Sequence, residues 1–258
     1  MRKLLGFTLA EVLITLGVIG VVAAMTIPNL VSRIQERVWL SQFNKVTSSI
    51  QNAYKLIYDE YGPTSNWELN DAGYDMASID KVVSLFSPYI PQMANEIQQK
   101  DYWAYVAHNL QGKKDSYVHK NNFKGYYLMD SSVVFITVVS TAVAPESAAN
   151  GPFVQMTIDI NGLKTGPNVM GKDIFQIYLG RNKPILTGYP LWWVNRGHCS
   201  VKNPSGGWTS GGACASWVLK NRNMDYLHRE ITEEEWRQVN QWNDNWFSKN
   251  NMLLWVGG

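Results

Sequence analysis

Apolar residues run almost unbroken over positions 7–27, with one ionisable side chain among them, Glu11. About 20 such residues make a helix long enough to cross a bilayer. Beyond Pro28 the pattern changes. Trp39, Phe43, Val46, Ile50, Ala53 and Ile57 recur at alternating steps of four and three, with Arg, Lys, Gln, Ser and Asn between them. That spacing predicts one continuous helix whose second half, 29–61, is amphipathic and turns an apolar stripe toward a core. Tyr61-Gly62-Pro63 ends it, since glycine suits a helix C-terminus and proline cannot continue one. From position 7 to 61, at 1.5 Å per residue, the helix is roughly 80 Å long.

The stretch 64–130 is weakly patterned. Ser87-Pro88-Tyr89-Ile90-Pro91 interrupts it, and short helices are expected over 80–86 and 91–100. The period then changes to that of strands. "SSVVFITVV" (131–139) and "FVQMTIDI" (153–160) are β-branched runs separated by the loop "TAVAPESAANGP", which predicts an antiparallel pair. "DIFQIYL" (173–179) predicts a third strand, and "ASWVLKNRNMDYL" after Cys214 a last strand and turn. In "ITEEEWRQVNQWNDNWF", Thr232 followed by Glu235 forms a capping box, and acids fill the first turn, where the helix dipole favours them. A terminal helix is expected over about 232–248, with Trp236, Val239, Trp242 or Asn243, and Trp246 on one face. A long helix followed by a small antiparallel sheet is an α+β fold.

At 258 residues the chain has room for one spanning helix and one domain, 62–258. Lys and Arg number 23 against 21 acids, and Arg2 and Lys3 account for the difference. Without them the chain is neutral, so dedicated nucleic-acid binding is not expected. The same two residues predict a cytoplasmic N-terminus and a domain on the far side of the membrane.

Glu11 is the chemical anomaly, because an acid in a spanning helix costs on the order of 3 kcal/mol and calls for a partner. No Lys, Arg or His lies within 7–27. A cleaved secretory signal, with Val22-Ala23-Ala24 as its cut site, fits the apolar run but not the acid. A plain signal anchor tolerates the acid poorly. The residues taken together are a short basic leader ending in Gly6, then Phe7-Thr8-Leu9-Ala10-Glu11, then apolar residues to Pro28. This pattern resembles the type IV prepilin family, which includes the pseudopilins of type II secretion systems.

The resemblance implies cleavage of the 1–6 leader after Gly6 by a prepilin peptidase and methylation of the new amine on Phe7. It further implies that helix 7–28 serves as membrane anchor and filament core, with other pilin or pseudopilin subunits and an inner-membrane assembly platform as partners. Location in the bacterial cytoplasmic (inner) membrane follows, with the globular domain outside the cytoplasm, then in a pilus or pseudopilus. Glu11 then pairs with the N-terminal amine of a neighbouring subunit, a use of a buried ion pair that sets register. Pro28 falls where the family carries a helix-kinking proline.

Asp159, Asn161 and Asp173 in "DINGLKTGPNVMGKD" are hard oxygen ligands, and Asp-x-Asn-Gly resembles the opening of a calcium loop. Asn161-Gly162 also reads as a tight turn, since both residues tolerate positive φ. Either a calcium site or a plain turn is open at this point. Cys199 and Cys214 are the only cysteines. Outside the cytoplasm a disulfide is the default, and closing a loop of about 15 residues is worth roughly 3 kcal/mol. A zinc pair with His198 is the rival, but zinc needs four ligands, and His108, His119 and His228 supply no motif. The cysteine pair also resembles the disulfide-bounded segment of many type IV pilins.

Eleven tryptophans are many for this length. Trp192, Trp193, Trp208 and Trp217, with the terminal helix, suggest either core packing or an aromatic surface for glycan or protein contact. The latter defines an alternative: a membrane-anchored binding module outside any filament. No nucleophile elbow, phosphate loop or histidine-rich metal motif appears, so no enzymatic activity is expected.

Overall fold

The N-terminal helix α1 occupies Leu9–Tyr61 and contains Pro28. This computed structural model describes residues 8–98, 107–114, 122–128, 131–140, 152–180, 183–184, 186–188, 199–202 and 211–247. The chain divides into two compact units, Met1–Val38 and Trp39–Gly258. In the first unit the described residues are helical from Leu9 onward and none is buried.

In the second unit, α1 buries Trp39, Phe43, Val46, Ile50, Ala53 and Ile57, the whole of the expected stripe, together with Thr47 and Tyr54. Thr47 sits in this apolar face because its hydroxyl donates to the Phe43 carbonyl one turn back, at 2.7 Å. Gly62, at φ +77°, ends the helix with its N–H on the Tyr58 carbonyl at 2.8 Å. Helix α2, Met76–Phe86, starts earlier than the sequence pattern suggested. Asp75 caps it by accepting from the Ser78 N–H at 2.9 Å and the Ser78 hydroxyl at 2.8 Å.

Five antiparallel strands stand in sequential order: β1 Lys124–Tyr127, β2 Val133–Val139, β3 Phe153–Asp159, β4 Ile174–Leu179 and β5 Leu186–Thr187. The expected β2–β3 pairing is present, with Ile136 opposite Met156. Because alternate residues share a face, Val134, Ile136, Val138, Val154, Met156, Ile158, Phe175 and Ile177 join the main core. The Phe43 and Phe175 rings meet there at 4.5 Å between centroids. The opposite face is buried too and partly polar. Val133, Phe135 and Ile174 pack with Ile97, Ala107 and Met170, and the Tyr178 hydroxyl donates to Oε1 of buried Gln155 at 2.9 Å.

Both sheet edges are covered, which removes the unpaired backbone that invites aggregation. At β1, the Ile97 N–H donates to the Gly125 carbonyl at 2.8 Å and the Tyr127 N–H to the Asn95 carbonyl at 3.3 Å. At β5, Gln51 of α1 acts as a surrogate strand. Its Oε1 accepts the Leu186 N–H at 2.7 Å and its amide nitrogen donates to the Pro184 carbonyl.

Two expectations are corrected. The helix over 91–100 is a single 3₁₀ turn, Pro91–Ala94, because the backbone of Asn95 and Ile97 bonds to β1; positions 99 and 100 lie outside the described residues. The run after Cys214 is not a strand but helix α3, Cys214–Asn221, with Cys214 through Leu219 all buried. A helix covered on all sides has no polar face to give it a visible period, and a short apolar run reads equally as a strand. The terminal helix α4, Glu233–Phe247, forms as expected.

Candidate functional site

Two regions hold the residues singled out from the sequence. The first is the start of α1. Gly6 and Phe7 lie outside the described residues, and Thr8 is the residue before the first helical turn. Its N–H and its hydroxyl both donate to Oε2 of Glu11 at 2.8 Å, while the Glu11 N–H donates back to the Thr8 hydroxyl at 3.2 Å. This is a reciprocal capping box, which meets two of the N–H groups that every helix start leaves without an intrahelical acceptor. The sequence signal was the Thr-x-x-Glu spacing, identical to that of Thr232 and Glu235.

As far as Ile27 the helix is apolar on every side but for Glu11: Leu9, Ile14, Ile19 and Met25 are 78%, 66%, 62% and 69% exposed. A helix with no polar face suits hydrocarbon or a buried bundle. α1 is long and apolar enough to cross a membrane. Its few polar groups are met within the helix. The hydroxyls of Thr15 and Thr26 donate to the carbonyls of Val12 and Val22 at 2.9 Å, and the Asn29 amide donates to the Met25 carbonyl at 3.2 Å. Such back-bonding is how polar side chains are tolerated away from water. Pro28 lacks an N–H and so leaves one carbonyl of the preceding turn without its usual donor.

The second region is the β3–β4 turn, where Asp159, Asn161 and Asp173 come together and are buried. Asp159 Oδ1 accepts the N–H groups of Asn161 at 3.2 Å and Gly162 at 2.8 Å, closing an Asx turn. Asp173 Oδ1 accepts the Val169 N–H at 2.7 Å, and its Oδ2 accepts the Asn168 N–H at 2.8 Å and the Asn161 amide at 3.2 Å. Burial pushes the Asp173 carboxyl up and these donors oppose the shift. Gly162 adopts φ +86°, and a Cβ there would lie 2.3 Å from the Ser131 carbonyl oxygen.

Calcium takes about 6–8 oxygen ligands. Both Asp173 oxygens and one of Asp159 accept backbone or amide N–H donors. In this turn the buried amide oxygens of Asn161 and Asn168 are without a hydrogen-bond partner. As arranged, the bonds of Asp159 and Asp173 close a hydrogen-bonded turn. Among the described residues no group of three His, Cys, Asp or Glu could hold a metal ion.

Cys199 and Cys214 form the disulfide, with Cα atoms 4.9 Å apart. Cys214 is seated against the same turn. A Cβ on Gly171 would meet its Sγ at 2.7 Å, and one on Gly211 would meet the Met170 carbonyl at 2.3 Å. Only glycine permits these two approaches. His119 and His198 lie outside the described residues. The backbone of His108 bonds to Asn168 and Met170, at 2.7 and 2.8 Å.

Of the tryptophans, Trp39, Trp67, Trp217 and Trp236 are buried. Trp217 and Trp236 stack with centroids 6.4 Å apart and planes at 6°, and the Arg229 guanidinium lies 5.6 Å from the Trp217 ring centre. These two indoles belong to the core, not to an aromatic surface. Trp192, Trp193 and Trp208, and the side chains of Trp242 and Trp246, lie outside what the structure describes.

Compared with known proteins, the chain matches no family model, no curated protein and no solved structure.

Proposed function

We propose that the chain is a type IV pilin-like or pseudopilin subunit. A prepilin peptidase removes residues 1–6 and Phe7 carries the methylated amine. The apolar half of α1 stores the subunit in the bacterial inner membrane with its domain outside the cytoplasm. An assembly platform then packs these helices into a pilus or secretion pseudopilus. The work is mechanical, with no reaction performed by the chain.

The observation that supports this reading is a carboxylate, Glu11, in the first turn of a helix that as far as Ile27 is apolar on every side and holds no Lys, Arg or His. A lone anchor gains only a helix cap from such an acid, whereas a helix bundle also gains a register when the acid meets a neighbour's amine. The buried indoles of Trp217 and Trp236 reduce the support for an anchored aromatic binding module. The test is Glu11→Ala in the native host. Membrane insertion should persist while the chain disappears from the sheared filament fraction; unchanged filament incorporation would refute the reading.

A further inference from the structure

We infer that Asn161–Gly162 is a latent self-modification site: the asparagine amide survives while the β3–β4 turn is closed and becomes a carboxylate once the turn opens.

Asparagine followed by glycine is a reactive pair, because glycine has no Cβ to obstruct the approach of its backbone nitrogen to the preceding side chain. In the reaction the Gly162 nitrogen bonds to Cγ of Asn161, and a tetrahedral intermediate forms with its negative charge on Oδ1. The Cγ–Nδ2 bond then breaks. Nδ2 leaves as ammonia, carrying the proton given up by the Gly162 N–H. Water adds across either carbonyl of the cyclic imide, leaving aspartate or isoaspartate at position 161. Water is the only co-reactant.

The closed turn opposes each step. The Asn161 amide donates to the Gly166 carbonyl at 3.1 Å and to Oδ2 of Asp173 at 3.2 Å, which fixes the side chain's rotation. The nucleophile is held as well. The Gly162 N–H donates to Oδ1 of Asp159 at 2.8 Å, and the Gly162 carbonyl accepts the Thr165 N–H at 3.0 Å. Packing leaves Gly162 no room to swing, since a Cβ on it would lie 2.3 Å from the Ser131 carbonyl oxygen. Oδ1 of Asn161, where the charge of the intermediate collects, is buried and meets no donor. An oxyanion without a donor gains none of the stabilisation that acyl transfer depends on. Asp159 and Asp173 are buried in the same turn, and like charge opposes the intermediate further.

Opening is therefore recorded irreversibly. A carboxylate at 161 cannot donate to Asp173 or to the Gly166 carbonyl. It also adds negative charge beside two buried acids, so the turn does not reclose.

The experiment incubates the oxidised full chain in detergent at mildly alkaline pH and follows residue 161 by peptide mass and isoaspartate detection. The unsubstituted chain is compared with the same chain denatured in urea, with Asp173→Ala, and with Thr232→Ala, which weakens the cap of α4 instead. The native chain should modify Asn161 about a hundredfold more slowly than the denatured chain, the scale of two hydrogen bonds to a charged group. Asp173→Ala should remove most of that protection while still showing a melting transition, and Thr232→Ala should not. If Asp173→Ala does not fold, the unsubstituted chain decides at urea concentrations below its unfolding midpoint. A local opening exposes little surface, so the rate there should be nearly independent of urea.

Equal rates in the native and denatured chains would overturn the proposal, because the turn then holds nothing back. A denatured chain that keeps Asn161 intact would overturn it too, because the site is then not reactive. Acceleration by Thr232→Ala as large as by Asp173→Ala, or a native rate that climbs with urea as steeply as global unfolding, would remove the turn's role and assign the protection to the fold as a whole.

Discussion

The hydroxyl of Tyr226 donates to the carbonyl of Gly171 at 2.7 Å, with both residues buried. Tyr226 lies beyond the disulfide in the C-terminal segment, and Gly171 lies in the β3–β4 turn. The bond joins the two at the place where Gly171 packs on Cys214. Tyr226→Phe keeps the ring and removes the donor. It should lower the unfolding free energy by about 1–2 kcal/mol, the cost of leaving a buried carbonyl unmet. Denaturant titration of the oxidised full chain in detergent measures this, and no change would place the carbonyl in contact with another donor.

The turn itself should depend on Asp173 and not on calcium. Asp173→Ala leaves the N–H groups of Asn168 and Val169 without their acceptor, so a loss of roughly 2 kcal/mol is expected. Millimolar calcium should leave the melting temperature of the unsubstituted chain unchanged. A calcium-dependent rise abolished by Asp173→Ala would show that the turn reorganises around a cation.

Helix α4 gives a prediction in pH. Arg229 holds the Glu235 carboxyl down at about 2, from the usual 4.5, mainly by donating hydrogen bonds at 2.9 and 2.7 Å, with the Thr232 N–H adding a further one. A depressed acid stabilises the fold above its unfolded value and loses that contribution as the pH falls through the folded one. Glu235→Gln should therefore be less stable than the unsubstituted chain near neutral pH. The gap should close as the pH drops from about 4.5 toward 2. A gap constant over that window would mean that charge on Glu235 is not the cause. Thr232→Ala, which removes the cap hydroxyl, should cost about 1 kcal/mol at neutral pH.

The parts legible in the sequence are those in which one periodicity met one environment. The stripe from Trp39 to Ile57 was readable because one face of α1 is buried and the other is not. Glycine after Tyr61, the Thr232–Glu235 box and the three long strands were readable from local chemistry. Strands β1 and β5, of four and two residues, carry too little pattern to be seen. Helix α3 was misread because burial on all sides erases its period. At the candidate site, Glu11 stood out by composition, yet Thr8 did not, although the same spacing was recognised at Thr232. The seating of Cys214 on Gly171 joins positions far apart in the chain, which no local pattern reveals.

The central claim is that residues 1–6 are a leader and Phe7 is the working N-terminus of an assembling subunit. The most direct measurement is the intact mass and N-terminal sequence of the chain purified from membranes of a host with an active prepilin peptidase. The account predicts a chain that begins with methylated Phe7 and lacks the mass of residues 1–6. An intact Met1, or a start at Met25 after signal cleavage, would contradict it and leave Glu11 with no partner but Thr8.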